Sequence, residues 1–581
     1  MPINATMQCG IFWISCLLLI KPLGSYMAKV YSGQLTFLET LIGPIEDYIY
    51  KIANIVPTKE MTWQQYANAV LLSSLGGFLL LFTLLKLQAF LPLNPLGLPN
   101  LSSDLAFNIA ASFVTNTNWQ SYAGEVTLSY FSQMMGLGVQ NFLSASMGMA
   151  VGIALVRGLQ RKNGKFIGNF WVDWVRGILY ILLPLSCVFA VILGSQGVIQ
   201  NFNGPVTTNL IESKRTALVD NYVTQQMIPG GPVASQVAIK QLGTNGGGFF
   251  NANAAHPFEN PTPLSNFLEC LAMVLIASAL CYTFGIMVND KREGWALLLA
   301  MALIYIPMSL YSIQQEQKPN PLLSTLNIEQ TRTALQSGGN MEGKELRFGI
   351  VNSALWATTT TATANGSVNS MLDSYSALGG FVPLLMMMFG EVIFGGVGSG
   401  LYYILIFVFI TVFIAGLMVG RTPEFLGKKI QAYEIKMASL CILIPTIALL
   451  FGTAIAVTSN SGVIGILNPS HQGFSEILYA FTSAVSNNGS AFAGLDSNSP
   501  FYNTMLGICM LIGRFWIMIP VLAIAGSLVQ KNTTPQSAGT MSTHSLLFIL
   551  FLAGIIVLIG LLTYIPALTL APISEYFQLV K

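Results

Sequence analysis

The sequence predicts an all-α integral membrane protein of about ten transmembrane helices, organised as four similar repeats with one extra helix at each end. Three observations predict it. Charged residues make up 9% of the 581 and apolar ones 53%, whereas an ordinary soluble domain is about 25% charged. Apolar runs long enough to cross a bilayer recur from end to end, with a mean hydropathy of +0.63. A short segment of distinctive polar chemistry recurs four times between those runs. No polar stretch is long enough to build a separate soluble domain.

Ten candidate spans lie near 5–27, 65–88, 128–156, 177–199, 266–288, 295–313, 382–419, 437–458, 503–529 and 545–570. Only a helix lets each satisfy its own backbone in lipid, and the residue-by-residue alternation of an outer-membrane barrel is absent. No basic region precedes the first apolar run, and Lys21 falls within or after it, so this run reads as a retained span. The seventh span is long and interrupted.

Between spans, the segments 103–122, 231–251, 350–370 and 472–492 are too short and too polar to cross. Each opens with moderately apolar residues and ends in a small, Asn- and Gly-rich stretch. The endings read Thr115-Asn116-Thr117-Asn118, Thr244-Asn245-Gly246-Gly247, Ala364-Asn365-Gly366-Ser367 and Asn487-Asn488-Gly489-Ser490. With the Asn at the second place of each as the register mark, the intervals are 129, 120 and 123 residues. Near-constant spacing with the same local chemistry is an internal repeat. The chain then divides into a first helix and linker over 1–60, repeats over 61–165, 166–290, 291–425 and 426–535, and a last helix over 536–581. Loops between repeats carry Arg157, Arg161, Lys162, Lys165 and Arg176, then Lys291 and Arg292, then Arg421, Lys428, Lys429 and Lys436. Positive loops face the cytoplasm, so the four short segments enter from the opposite side. The longer stretches 201–245 and 312–350 also hold a few basic residues, and long translocated loops obey the charge rule weakly.

Non-helical backbone at membrane depth is tolerated only where protein or a water-filled path surrounds it. Four such segments converging on one pseudo-four-fold axis could ring a dehydrated cation with carbonyl oxygens. Gly246, Gly366 and Gly489 suit this, because glycine reaches positive φ and lets backbone approach without a Cβ. The short helix before each ending would point its partial negative end inward, and Asp104 after Ser102 and Ser103 fits a cap or first turn. A lone Asn/Gly turn would be an ordinary loop, but four at regular spacing between spans point to a filter. In this register Thr117 stands where the other three have glycine.

Glu391 and Arg514 sit inside apolar spans, where a charge costs about 2.5–3.5 kcal/mol. They line a pore or cavity, separately or as a pair, or one lies near a span end and snorkels, or they form a structural ion pair. A guanidinium beside a cation path would repel cations. The run Gly395-Gly396-Val397-Gly398-Ser399-Gly400 weakens a helix by about 1 kcal/mol per glycine, so the span should break there. The break could be a mobile gate or a site of close helix packing.

Catalytic and metal-binding apparatus is hard to find. The stretch Gly158 to Phe166 has five residues between its glycines rather than four, with Phe166 after Lys165, so it misses the phosphate-loop pattern. No Asp-Lys-Thr-Gly string occurs. His256, His471 and His544 show no metal-ligand spacing, and most of the seven cysteines sit in apolar runs as small hydrophobes. A net charge of +2 suggests no nucleic-acid partner.

The string Leu242 to Asn253, LGTNGGGFFNAN, followed by His256-Pro257-Phe258-Glu259-Asn260-Pro261, is long and unusual. With Asn118-Trp119-Gln120-Ser121-Tyr122, the Phe389–Gly400 stretch and Ser486–Gly494, it resembles the potassium-binding A chain (KdpA family) of the Kdp-type potassium-transporting ATPase. The likeness spans essentially the whole chain. It implies a fold similar to the potassium channel superfamily and a location in the bacterial inner membrane. It implies K+ as the transported ion with no permanently bound cofactor, and ATP hydrolysis on a partner B chain with a C chain and a small single-span F chain beside it. By motif, Gln120 would sit just beyond the first filter, and Glu391, Gly395, Gly396, Gly398 and Arg514 would lie at the gate and exit. A stand-alone potassium channel or ion-coupled symporter of the related superfamily is the alternative.

Overall fold

The computed structural model describes residues 3–580 apart from 35, 217–218, 325, 327, 334–335 and 535–540. Ten helices among these residues are long and apolar enough to cross a membrane. They are α1 (Ile3–Tyr31), α3 (Trp63–Lys86), α5 (Ser132–Gln160), α6 (Phe170–Ser195), α8 (Pro263–Met287), α9 (Lys291–Glu316), α12 (Ser399–Val419), α13 (Ala432–Thr458), α15 (Pro500–Val529) and α16 (Leu546–Leu568). The remaining helices used below are α2 (Glu39–Ile52), α4 (Ser103–Val114), α7 (Val233–Leu242), α10 (Gly349–Ala362), α11 (Ala377–Met388) and α14 (His471–Val485). The expected span count is met, and the interrupted seventh span is two helices, α11 and α12, separated by a buried loop.

Four times a span is followed by a short helix and then by a second span: α3–α4–α5, α6–α7–α8, α9–α10–α11/α12 and α13–α14–α15. The span after each short helix is more buried than the span before it, so the second spans form the inner wall. Polar caps fix where these helices begin. Thr62 and Gln65 form a reciprocal capping box at α3, Ser102 accepts from the Leu105 N–H at α4, and Ser499 precedes Pro500 at α15. Asp104 lies in the first turn of α4 and accepts from Asn503 Nδ2 at 2.9 Å, tying this helix to α15.

One segment departs from an all-helical chain. Strands β1 (Val206–Thr216) and β2 (Val219–Ile228) pair antiparallel in the long connection before α7. The two strands satisfy each other's backbone as a ladder, so this polar connection needs no helix to do so.

Two of the basic loops, after α5 and after α12, meet. Lys428 donates from its ammonium to the carbonyls of Gly158 and Leu528 at 2.7 and 2.6 Å, and also to that of Arg161. The loop after α12 is thereby pinned to the ends of α5 and α15. Arg157 of α5 grips Asp173 of α6 with two bonds of 2.5 and 2.7 Å, and Tyr66 of α3 donates to the same carboxylate at 3.0 Å. Asp173 is 2% exposed. Breaking such a buried pair from one side costs about 3–5 kcal/mol, because the other charge is stranded. Arg157→Ala should therefore lower the thermal unfolding midpoint in detergent well below that of a change at exposed Arg292, read by intrinsic fluorescence.

Candidate functional site

The four short helices end at equivalent places, and the backbone itself gives the register. The amides of Thr117, Asn245, Asn365 and Asn488 each donate to the carbonyl five residues back: Ser112, Lys240, Thr360 and Ser483, at 2.9, 2.9, 3.1 and 2.9 Å. The residue before each has positive φ: Asn116 (+66°), Thr244 (+47°), Ala364 (+47°) and Asn487 (+47°). The residue after each also has positive φ: Asn118 (+53°), Gly246 (+69°), Gly366 (+91°) and Gly489 (+97°). The first segment is thus one place off the expected register. Thr117, not Asn116, is level with the three asparagines, and Asn118, not Thr117, takes the glycine position. Two asparagines two residues apart made the sequence mark ambiguous.

In this register the four turns close a ring. A Cβ on Gly246 would strike the carbonyl of Asn365, one on Gly366 that of Asn488, and one on Gly489 that of Thr117. Three turns pack their glycine onto the next turn's carbonyl, in the order second, third, fourth, first, and Asn118 of the first turn closes the ring by donating from Nδ2 to Gly246 O at 3.3 Å. The carbonyl oxygens of Thr117, Asn245, Asn365 and Asn488 accept no hydrogen bond among the described residues, although all four residues are 0% exposed. Buried carbonyls normally have a donor. Four unmatched ones at equivalent places in a ring have the chemistry to replace the water shell of a cation. All four helix C-termini add partial negative charge behind them.

Asparagine side chains lock the joints. Asn365 Nδ2 donates to Lys240 O at 3.1 Å and Asn488 Nδ2 to Thr360 O at 2.8 Å, each reaching the preceding short helix. Asn245 Nδ2 donates to Asn116 Oδ1 at 2.5 Å, Asn116 Nδ2 to Thr244 O at 2.9 Å, and Asn487 Nδ2 to Thr117 Oγ1 at 2.9 Å. Thr115 Oγ1 pairs with Thr117 Oγ1 at 2.7 Å, and Asn118 Nδ2 reaches Asn141 Oδ1 at 2.9 Å. Ser367 accepts on its carbonyl from Trp356 Nε1 at 2.8 Å, and Ser490 pairs with Tyr479 at 2.8 Å. Gly247 lies against Gln120, whose amide takes Gly248 N at 2.8 Å and gives to Gly248 O at 2.9 Å. Gln120 therefore sits at the outer edge of the first and second turns.

Beneath the ring lies the loop from Phe389 to Gly398. Gly395 N donates to Ala362 O at 2.9 Å, at the end of α10, and Val397 N to Thr244 Oγ1 at 2.8 Å. Both partners are at the inner edge of their turns. Gly398 has φ +89° and packs against the Gly148 backbone, where any Cβ would collide. Glu391 accepts from Gly396 N at 3.2 Å and from Ser399 Oγ. Arg514 donates to Ser144 O at 3.1 Å, and its Nε has no partner. The two charges are near enough to attract but make no direct ion pair, so neither neutralises the other by contact.

The sequence reading missed the residues behind the ring: Ser112, Lys240, Thr360 and Ser483, whose carbonyls receive the turns, and Asn141, Ser144, Gln241, Glu259 and Glu269. A signal was present. Five residues before the register position stand three hydroxyls and one lysine.

A family model for the potassium-transporting ATPase A subunit matches residues 10–577. The chain is 56% identical to the potassium-transporting ATPase potassium-binding subunit of Sorangium cellulosum, over 100% of both chains. It is 58% identical to the subunit of the same name from Herpetosiphon aurantiacus, over 99% of each. Among solved structures, the potassium transporter TrkH of Vibrio parahaemolyticus superposes with a TM-score of 0.50 at 13% identity, covering 89% of this chain and 98% of that one. That likeness is one of fold.

Gly246→Asp should raise the potassium concentration for half-maximal uptake about tenfold or more, a loss of about 1.4 kcal/mol or greater. Gly76→Ala, where a Cβ meets nothing within 4 Å, should leave it unchanged. Uptake assays in potassium-depleted cells check both.

Proposed function

This chain belongs to the family of potassium-transporting ATPase A subunits, and on that premise we propose that its ring of turns is the filter at which potassium is bound and handed into the membrane. It is a multi-pass protein of the bacterial inner membrane and a non-catalytic transport subunit. The observation that carries the filter reading is the set of four buried, donorless carbonyls at Thr117, Asn245, Asn365 and Asn488.

An ion arriving from outside meets Gln120 and the outer turn edges first. It sheds water where the carbonyl oxygens replace its hydration shell, and the inward-pointing helix ends favour a cation over an anion. The turn residues Thr115–Asn118, Thr244–Gly247, Ala364–Ser367 and Asn487–Ser490 supply the ring and its locks. Below it, the loop with Gly395, Gly396 and Gly398 closes the direct path, and glycine-rich backbone gives that closure freedom to move. Arg514 places a positive charge under the filter, which resists straight passage to the cytoplasm. Glu391 offers a buried carboxylate in the same region.

The driving reaction belongs to a partner: an ATP-hydrolysing B chain, assembled with a C chain and a single-span F chain among membrane lipids. The whole-length match to potassium-binding subunits favours this over a stand-alone channel or symporter, which the four turns alone would equally serve.

Co-expression with the partner chains and affinity purification in mild detergent tests the reading. The expected outcome is a multi-chain complex with potassium-stimulated ATPase activity, while this chain alone hydrolyses no ATP. Within that complex, Arg514→Ala should loosen coupling, so that more ATP is hydrolysed per ion transported or passive potassium leak appears in vesicles. Parental coupling and parental leak would refute the barrier role.

A further inference from the structure

Lys240 is the odd member of an otherwise uniform set. At the place five residues before the ring carbonyl, the other three short helices carry hydroxyls that bind their own turns. Thr360 Oγ1 accepts from Gly366 N at 2.9 Å, Ser483 Oγ accepts from Gly489 N at 2.9 Å, and Ser112 Oγ donates to Trp119 O at 3.1 Å. The second helix has a lysine instead, 1% exposed. Its ammonium turns away from the ring to Glu259, which is 0% exposed. The other oxygen of Glu259 accepts from Phe250 N at 2.7 Å. The pair therefore joins the limb that enters the second turn to the limb that leaves it.

The backbone of the same residue carries an unusual load. Lys240 O accepts from Asn245 N at 2.9 Å, from Gly246 N at 3.0 Å, and from Asn365 Nδ2 of the third turn at 3.1 Å. Next to it, Gln241 accepts from Ser367 Oγ at 3.2 Å and donates to Glu269 Oε2 at 3.0 Å. The joint between the second and third turns thus hangs on residues 240 and 241, and among the described residues the carboxylates touching these two side chains are Glu259 and Glu269. A fully buried ion pair adds little stability over an apolar pair of similar size. What it does well is fix two points of backbone relative to each other, because both charges must stay matched.

We propose that Lys240, clamped by Glu259, is a positioning residue that sets the carbonyl spacing where the second and third turns meet, and through it the filter's discrimination between potassium and the larger rubidium ion. The proposal rests on the potassium-filter reading above. In the snug-fit account of carbonyl filters, oxygens held at fixed separation distinguish ions by size, whereas a slackened joint adjusts to either. The loss should therefore appear in affinity and selectivity and not in the saturated rate.

The test uses the assembled complex and measures half-saturating potassium, half-saturating rubidium and the saturated ATPase rate. Lys240→Met combined with Glu259→Gln removes both charges and strands neither. Glu259→Asp keeps the charge but shortens its reach. The expected result is a saturated rate within about twofold of the parent, half-saturating potassium raised about tenfold in the double variant, and a rubidium-to-potassium ratio moved toward one in both variants. A ratio moved toward one in either assembled variant supports the proposal, and a ratio unmoved or moved away from one in every assembled variant overturns it. Parental affinity and ratio in both overturn it, as does failure of both to assemble, which would make the pair a folding element. Gly246→Asp runs alongside: if that variant also keeps parental potassium affinity, the filter reading itself has failed, whatever the pair does.

Discussion

Four backbone carbonyls without donors, at the heart of a protein that lipid surrounds, are the constraint around which the rest is arranged. In a bilayer every peptide group must find a partner inside the protein, and the ten spanning helices meet that demand within their own length. The four turns do not meet it at Thr117, Asn245, Asn365 and Asn488. A structure that leaves these oxygens open must hold them rigidly, or they would turn toward the nearest amide. That explains the density of side-chain locks behind the ring, with an asparagine or threonine of each turn reaching a neighbouring turn or short helix.

The ring is four-fold in backbone and not in chemistry. Three positions carry glycine where the next turn's carbonyl leaves no room for a Cβ, and the first carries Asn118 at φ +53°. Asn118 spends its side chain on Asn141 and on Gly246 O, so the first and second turns join through side-chain amides instead of close backbone packing. The second turn differs again through its buried lysine. Below, Glu391, Arg514 and the broken helix belong to the third and fourth repeats alone. A single chain can specialise each quarter of such a ring, and an assembly of four identical chains cannot.

Much of this was legible in the sequence, for physical reasons. Spans announce themselves because dehydration forces long apolar runs, and the four turns do so because a positive-φ backbone packed tightly against its neighbour selects Asn and Gly. The break near Gly395 was legible from glycine density. The register of the first turn was not, since it is set by an amide reaching five residues back, and Asn116 and Asn118 competed for the same mark. Whether Glu391 and Arg514 touch was not legible either, because they come from different repeats and their partners, Ser399 and Ser144, are unremarkable serines. Strands Val206–Thr216 and Val219–Ile228 belong to a polar connection between spans, where periodicity no longer follows from lipid. Lys240 passed unnoticed because its meaning appears only when four helix ends are superposed.

The most direct measurement is a high-resolution density map of the assembled complex purified in thallium or rubidium, read at the ring. The account predicts ion density enclosed by the carbonyl oxygens of Thr117, Asn245, Asn365 and Asn488, above the Phe389–Gly398 loop. Ion density bound elsewhere in this chain with those four oxygens drawn apart or bonded to amides would contradict it.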